Sequence, residues 1–371
     1  MLKGLLITTA GMCTFALAAS AQTGNPGGPI NDNLGDMNYG VCRGLDPKCF
    51  HNWPGGPAGK FRVLLYTRTN GGHRHDNLGP PLPPGVNPPL SSKNIVQTQM
   101  LKIAEENGWH LDYTEDVSAM GKVDGITPEV GAIGQSLDSY NAIIFFNTSR
   151  EILDDASRYA LRHYMQGGGG FVAIHSAFAS LYSWPYYQGL LGNAIFYSHD
   201  PVREGDVVMV NSTDASTQGL PKRWRFVDEW YNLVPFPTHV RFLATVDEKS
   251  WPAPPKPQSA SAADMRPHSV TGRMPGHGAF HPVAWCQYYD GGKVWVTTMA
   301  TTTRYSPTTT KPMPGRSSLG KWLSAESSRS WAPNHFAAES LGGPPARISL
   351  PGPPTTNIIR IFKSVHRANR I

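Results

Sequence analysis

The chain has 371 residues, 40% of them hydrophobic, with 38 glycines and 33 prolines. That length fits one large domain or two small ones, and the glycine and proline content calls for long irregular segments. Net charge is +6, but 11 of the 33 basic residues and only two of the 27 acidic ones lie from Gly291 onward. The remainder is slightly acidic and carries no nucleic-acid motif, so a nucleic-acid partner is not expected.

The first residues read as a secretory signal, 1–21. Lys3 is the charged region, Leu5 to Leu17 the apolar stretch, and Ala19-Ser20-Ala21 the small-residue cleavage site, with the cut before Gln22. No cysteine stands immediately after the small-residue site, and no later stretch is long and apolar enough to span a membrane. The expected location is secreted or periplasmic. In such a compartment Cys42 and Cys49 pair as a disulfide that staples the arm 22–60, while Cys286, inside "HPVAWCQYY", reads as a buried thiol.

From Phe61 the pattern becomes regular. "FRVLLYT" is a buried strand, followed by a long Gly/Pro loop. A helix follows from Ser91 or Ser92 as cap to Gly108 as stop, then a strand, "WHLDYTED". "YNAIIFFN" is a third strand, and Thr148 with Glu151 forms a capping-box signature for the helix "EILDDASRYALRHYMQ". The glycine run 167–170 stops that helix and opens a fourth strand, "FVAIH". This alternation predicts an α/β fold, a doubly wound and mostly parallel sheet. β-rich pieces fill the C-terminal half, including a hairpin at Asp290-Gly291-Gly292. Residues 251–278 read as a surface insertion loop and 300–371 as a basic tail of low order.

The chemistry-bearing residues sit at strand ends. His73 and His75 alternate in "HRHD" after the first strand and project to one side of an extended segment. Asp76 beside them suits an orienting carboxylate. His175 ends the fourth strand, so His75 and His175 converge on one edge of a parallel sheet. Each suits a metal ligand or a general acid/base. His199, Glu229 and His281 lie downstream. Such imidazole and carboxylate donors suit a divalent ion, zinc first, although the spacings match no short metal signature. No Ser or Cys stands at the tip where a nucleophile elbow would place one, which argues against acyl-enzyme chemistry. The glycine run precedes its strand, the wrong order for a phosphate loop. Trp184, Tyr186, Tyr187, Trp230, Tyr231 and Trp285 suit sugar stacking or core packing equally well.

Seven segments in this order, "RVLLYTRTNGGHRHD", "YNAIIFFNTSREIL", "YMQGGGGFVAIHSAF", "LLGNAIFYSHDP", "LPKRWRFVDEWYN", "FLATVDE" and "HPVAWCQYYDGGKVWVT", resemble the ThuA-like (trehalose-utilisation) family. They span about Phe61 to Met299, a domain of 61–299. The resemblance implies a flavodoxin-like fold related to class I glutamine amidotransferases without their cysteine. It further implies a role in disaccharide or keto-sugar metabolism, with a divalent metal as the one cofactor to test for. Its functional positions fall on His75, Asp76, His175, His199, Glu229 and His281. The reading that follows makes His75, Asp76, His175 and Glu229 catalytic. His75, His175 and His199 would be metal ligands, and Trp230, Tyr231 and His281 carbohydrate contacts. The expected activity is hydrolase-type; the alternative is a carbohydrate-binding domain without catalysis. One departure stands out. The family carries Gly-His after its last strand, whereas this chain runs into Ala300-Thr301 and an almost acid-free tail, as an altered reading frame after about Met299 would produce. An alternative frame lacking Gly-His and a helical pattern would refute that.

Overall fold

The computed structural model describes residues 40–51, 61–121, 136–199, 202–252 and 276–299. The signal segment, most of the arm, most of the insertion and the tail after Met299 lie outside them, as does the frame question. Within them, β1 (Arg43–Gly44) is followed by β2 (Arg62–Tyr66) and the two-residue β3 (Thr69–Asn70). Next come α1 (Ile95–Asn107), β4 (His110–Thr114), β5 (Ala142–Phe146) and β6 (Ser149–Arg150). Then α2 (Asp155–Gln166) leads to β7 (Gly170–Ile174) and α3 (Pro185–Leu190). The C-terminal half holds β8 (Phe196–His199), β9 (Arg203–Met209), β10 (Arg223–Asp228), β11 (Tyr231–Leu233), β12 (Arg241–Asp247), β13 (His281–Tyr289) and β14 (Gly292–Thr297).

The strands β14, β7, β5, β2 and β4 are parallel neighbours in that order. Their sequence is near-continuous in apolar residues because both faces are covered. Val63 and Leu65 point to the α1 side, where Val96, Met100, Ile103 and Ala104 form one helical stripe. Leu64 and Tyr66 point to the opposite side, onto Ala160, Leu161, Tyr164 and Met165 of α2. This is the flavodoxin-like, doubly wound arrangement. The β-rich half does not form a second body. β13, β12, β9 and β10 extend the same sheet antiparallel from β14.

Two helix starts differ from the sequence expectation. Asn94, not Ser91 or Ser92, caps α1; its Oδ1 accepts from the Ser91 amide and hydroxyl. Helix α2 begins at Asp155, where the Asp154 carboxylate takes the Ser157 amide at 2.8 Å. The Thr148–Glu151 box fails because Asn147 and Arg150 are left-handed, with φ of 52° and 69°, so Ser149 and Arg150 form β6 instead. The glycine run behaves as read: α2 ends at Gly167, and a Cβ on Gly169 would lie 2.3 Å from the Tyr164 ring. Cys42 and Cys49 are joined as a disulfide, and Cys286 is a buried free thiol. Among the described residues, no helix is long and apolar enough to cross a membrane.

The loops leaving β2, β5 and β7 are tied together at the carboxyl edge. β3 pairs with β6, and Arg150 bridges to Ser180. The loop after β2 is anchored from beneath by Arg74. Its guanidinium makes a two-toothed pair with Glu115, at 2.7 and 3.2 Å, and donates to the carbonyls of Gly79 and Pro80. Since neighbours in an extended segment face opposite ways, Arg74 pointing inward leaves His73 and His75 on the other side. Removing one partner of a buried pair strands the other charge. Arg74→Met should therefore lower the unfolding free energy by about 3 kcal/mol, at the low end of the range because the Arg74 side chain keeps some exposure. Urea denaturation measures this, and a loss below about 1 kcal/mol would show that the pair does not anchor the loop.

Candidate functional site

Strand register puts Asn147, His175 and Thr298 at one level, each the first residue beyond the end of β5, β7 or β14. His175 is the tip of the turn. Its φ is +54°, a left-handed conformation that costs a non-glycine residue free energy. Its Nδ1–H donates to the Thr298 carbonyl at 2.8 Å. That bond selects the tautomer and leaves Nε2 as the outward atom.

Three further side chains converge there. His75 Nε2 lies 3.0 Å from His175 Nε2. Glu229 Oε2 stands 3.4 Å from His175 Nε2, 3.8 Å from His199 Nε2 and 4.0 Å from His75 Nε2. His175 is buried, while His75, Glu229 and His199 are progressively more open, with side-chain exposures of 17, 24 and 34%. The donors of His75, His175 and Glu229 all lie within 4.8 Å of one another. Tyr231, on β11 opposite His199, stacks on His175 at 4.6 Å and on His199 at 5.8 Å.

The remaining expected site residues fall elsewhere. Asp76 is exposed at the start of a short turn, and its carboxylate makes no hydrogen bond or ion pair among the described residues, so it does not orient His75. His75 Nδ1 instead lies 3.5 Å from Ser176 Oγ. Trp230 is 1% exposed, its indole N–H donating to the Arg203 carbonyl. His281 is fully buried, with ring nitrogens on Glu248 and the Tyr231 carbonyl. Burial makes both, and equally Tyr231 at 2% exposed, supports of the cluster rather than contacts for a ligand. Tyr186, Tyr187 and Trp285 are also core residues, and Trp184 packs against the two tyrosines. Sequence reasoning missed Thr298 and Asn147. Thr298 acts through its backbone carbonyl, which no residue type signals. Asn147 is visible only as a polar residue ending an apolar run.

The two imidazoles sit in different fields. Burial, then the neighbouring His175, lowers the His75 pKa to about 3. Burial also opposes charge on His175, but the Glu229 hydrogen bond, the charges of Asp228 and Glu229 and the Thr298 carbonyl together raise its pKa. Burial acts against ionised Glu229 too, yet the His175 bond and the surrounding imidazoles lower its pKa to about 2. The pair therefore holds its first proton on His175. For stability the two act oppositely. The unfolded chain protonates His75 below about 6.5 while the folded one waits until about 3, so acidification through that window disfavours the fold. Raised His175 stabilises below about 6.5, and that contribution is lost as pH rises through its folded value. In metal-free protein, NMR titration of the imidazole signals should show His175 taking a proton before His75, with His75 neutral from pH 8 to about pH 4. The reverse order would refute the assignment.

The sequence pattern of the ThuA family, trehalose utilisation, matches residues 87–309. The match starts beyond His75, within the loop before α1, and ends past Met299, so it covers His175, His199, Glu229 and Thr298. No curated protein matches the chain. Among solved structures, a ThuA-like protein from Bacteroides uniformis is 20% identical, covering 74% of this chain and 92% of its own, with a TM-score of 0.48. A ThuA-like protein from Parabacteroides merdae is 16% identical, covering 74% and 91%, with a TM-score of 0.46. The chain belongs to the ThuA family of trehalose-utilisation proteins.

Proposed function

We propose that this chain is an exported enzyme of hydrolase type acting on a small carbohydrate, a disaccharide or its keto form, through a divalent cation held by His75, His175 and Glu229. The observation that carries the reading is the 3.0 Å approach of two Nε2 atoms with a carboxylate oxygen beside them. Two imidazole nitrogens and one carboxylate oxygen, all within 4.8 Å of one another, are donors that zinc-like ions accept. The Thr298 carbonyl on His175 Nδ1 is the outer bond that such a ligand needs to hold its tautomer and orientation. The buried Asn147 Oδ1 and Thr298 Oγ1, flanking His175 without hydrogen-bond partners, mark an edge built for polar contents.

When bound, such a cation polarises an oxygen of the substrate and acidifies water. The chain's own residues do the rest. Glu229, ionised even in acid, fixes the negative charge of the site. His199, the most open of the four, is placed to serve as a further ligand. His73, whose ring lies 4.8 Å from that of His75, lines the exposed side. The carbohydrate assignment rests on the family's trehalose link, and export on the N-terminal pattern with the Cys42–Cys49 disulfide in support.

Metal analysis and calorimetry of the purified full chain test this. About one divalent ion per chain is expected, with His175→Ala lowering affinity by more than the roughly 10–100-fold that outer-shell changes cost. No binding by the wild-type protein would sink the metal reading. Binding without turnover of disaccharides or their keto forms would favour the non-catalytic sugar-binding alternative.

A further inference from the structure

We infer that His281 is a positioning residue for this cluster, acting through the backbone of Tyr231 to hold the aromatic ring against His175. The inference rests on reading the cluster as a functional site, but its geometry is independent of what the site binds. His281 opens β13 and is fully buried. Its Nδ1 lies 2.8 Å from Glu248 Oε1 and its Nε2 lies 2.9 Å from the Tyr231 carbonyl. Both partners are acceptors. A neutral ring satisfies one of them at a time, whereas the imidazolium donates to both.

The two ends of this bridge do different work. Glu248 Oε1 also accepts the backbone amides of His277 and Gly278, so the carboxylate ties the chain after β12 to the chain entering β13. Trp251 and His277 close the ring of neighbours around His281. On the other side, the His281 bond holds Tyr231 at the start of a three-residue strand, β11, whose ladder partner is only the short β8. So short a pair is weakly fixed by itself. His277 Nε2 accepts the Leu233 amide and pins the far end of β11. Tyr231 in turn covers His175 and His199, the two imidazoles on the Glu229 side of the cluster. Glu229 lies two residues before Tyr231, so the same anchor limits how far its carboxylate can swing.

A pair of near-isosteric variants separates the two ends. The amide nitrogen of Gln reaches the Nε2 position of histidine, and that of Asn the Nδ1 position. His281→Gln should keep the bond to the Tyr231 carbonyl and lose Glu248; His281→Asn should do the opposite. The first readout is the ring-proton shift of His175 in metal-free full-length protein, which a stacked aromatic ring moves upfield. His281→Asn should move it downfield, and His281→Gln should leave it near the wild-type position. The second is Co²⁺ affinity, expected to fall about tenfold or more in His281→Asn and by much less in His281→Gln. Equal effects of both variants on the shift, or no effect of either, would overturn the proposal. If His281→Asn does not fold, Tyr231→Leu removes the ring directly, and an unchanged His175 shift there would be equally fatal. Failure of Co²⁺ to bind the wild-type chain counts against the metal reading alone, because the His175 shift still decides the positioning role.

Discussion

Everything at the site depends on one residue in an unfavourable backbone conformation. His175 leaves β7 with φ +54°, so its side chain rises from the sheet edge instead of continuing the pleat. The hydrogen bond from Nδ1 to Thr298 then turns the ring so that Nε2 faces outward. Neither step works alone. The turn without the bond leaves the ring free to rotate, and without the turn the residue would continue the pleat of β7. A left-handed non-glycine residue persists only where its surroundings over-determine it. Here the β5–β7–β14 register and the Thr298 carbonyl do so.

The position of β14 explains why the sheet is mixed. It runs parallel to β7 and so delivers Thr298 beside His175, yet it also begins the antiparallel extension through β13 and β12. That extension places β10, the β10–β11 turn and β8 over the same edge, bringing Glu229 and His199 to histidines supplied by the parallel half. The site is thus assembled from both halves of one continuous sheet. Its walls are the loops after β2 and β5, paired as β3–β6 and anchored below by Arg74 and Glu115.

Much of the parallel half was legible in the sequence. Apolar runs ending in polar residues mark β2, β5 and β7, and strand order alone predicts that His75 and His175 meet. The details that failed are ones sequence encodes weakly. The capping box at Thr148 competes with left-handed Asn147 and Arg150, and backbone conformation prevails over a local signature. Asp76 adjoins His75 in sequence, but in extended chain adjacent side chains point apart, so the neighbour that anchors the loop is Arg74. His281 and Trp230 belong to the right region at the wrong depth. Residue type does not report whether an aromatic or imidazole lies on a site or behind it.

The cluster is also costly in ways that bear on its purpose. A left-handed His175 costs on the order of 1–3 kcal/mol. Burial disfavours charge on His75, His175 and Glu229 alike; the contacts among them outweigh it at His175 and Glu229 but not at His75. Apolar side chains at these positions would pack the sheet edge without the desolvation cost, as Phe146 and Ile174 do one step inside it. A fold that keeps strained, desolvated imidazoles converging on one carboxylate spends stability at the place where a reacting or coordinating group is most useful. The paired loops, the Arg74 anchor and the Glu248–His281–Tyr231 bridge are what let the sheet bear that load, since each fixes an element that would otherwise relax away from the crowded nitrogens.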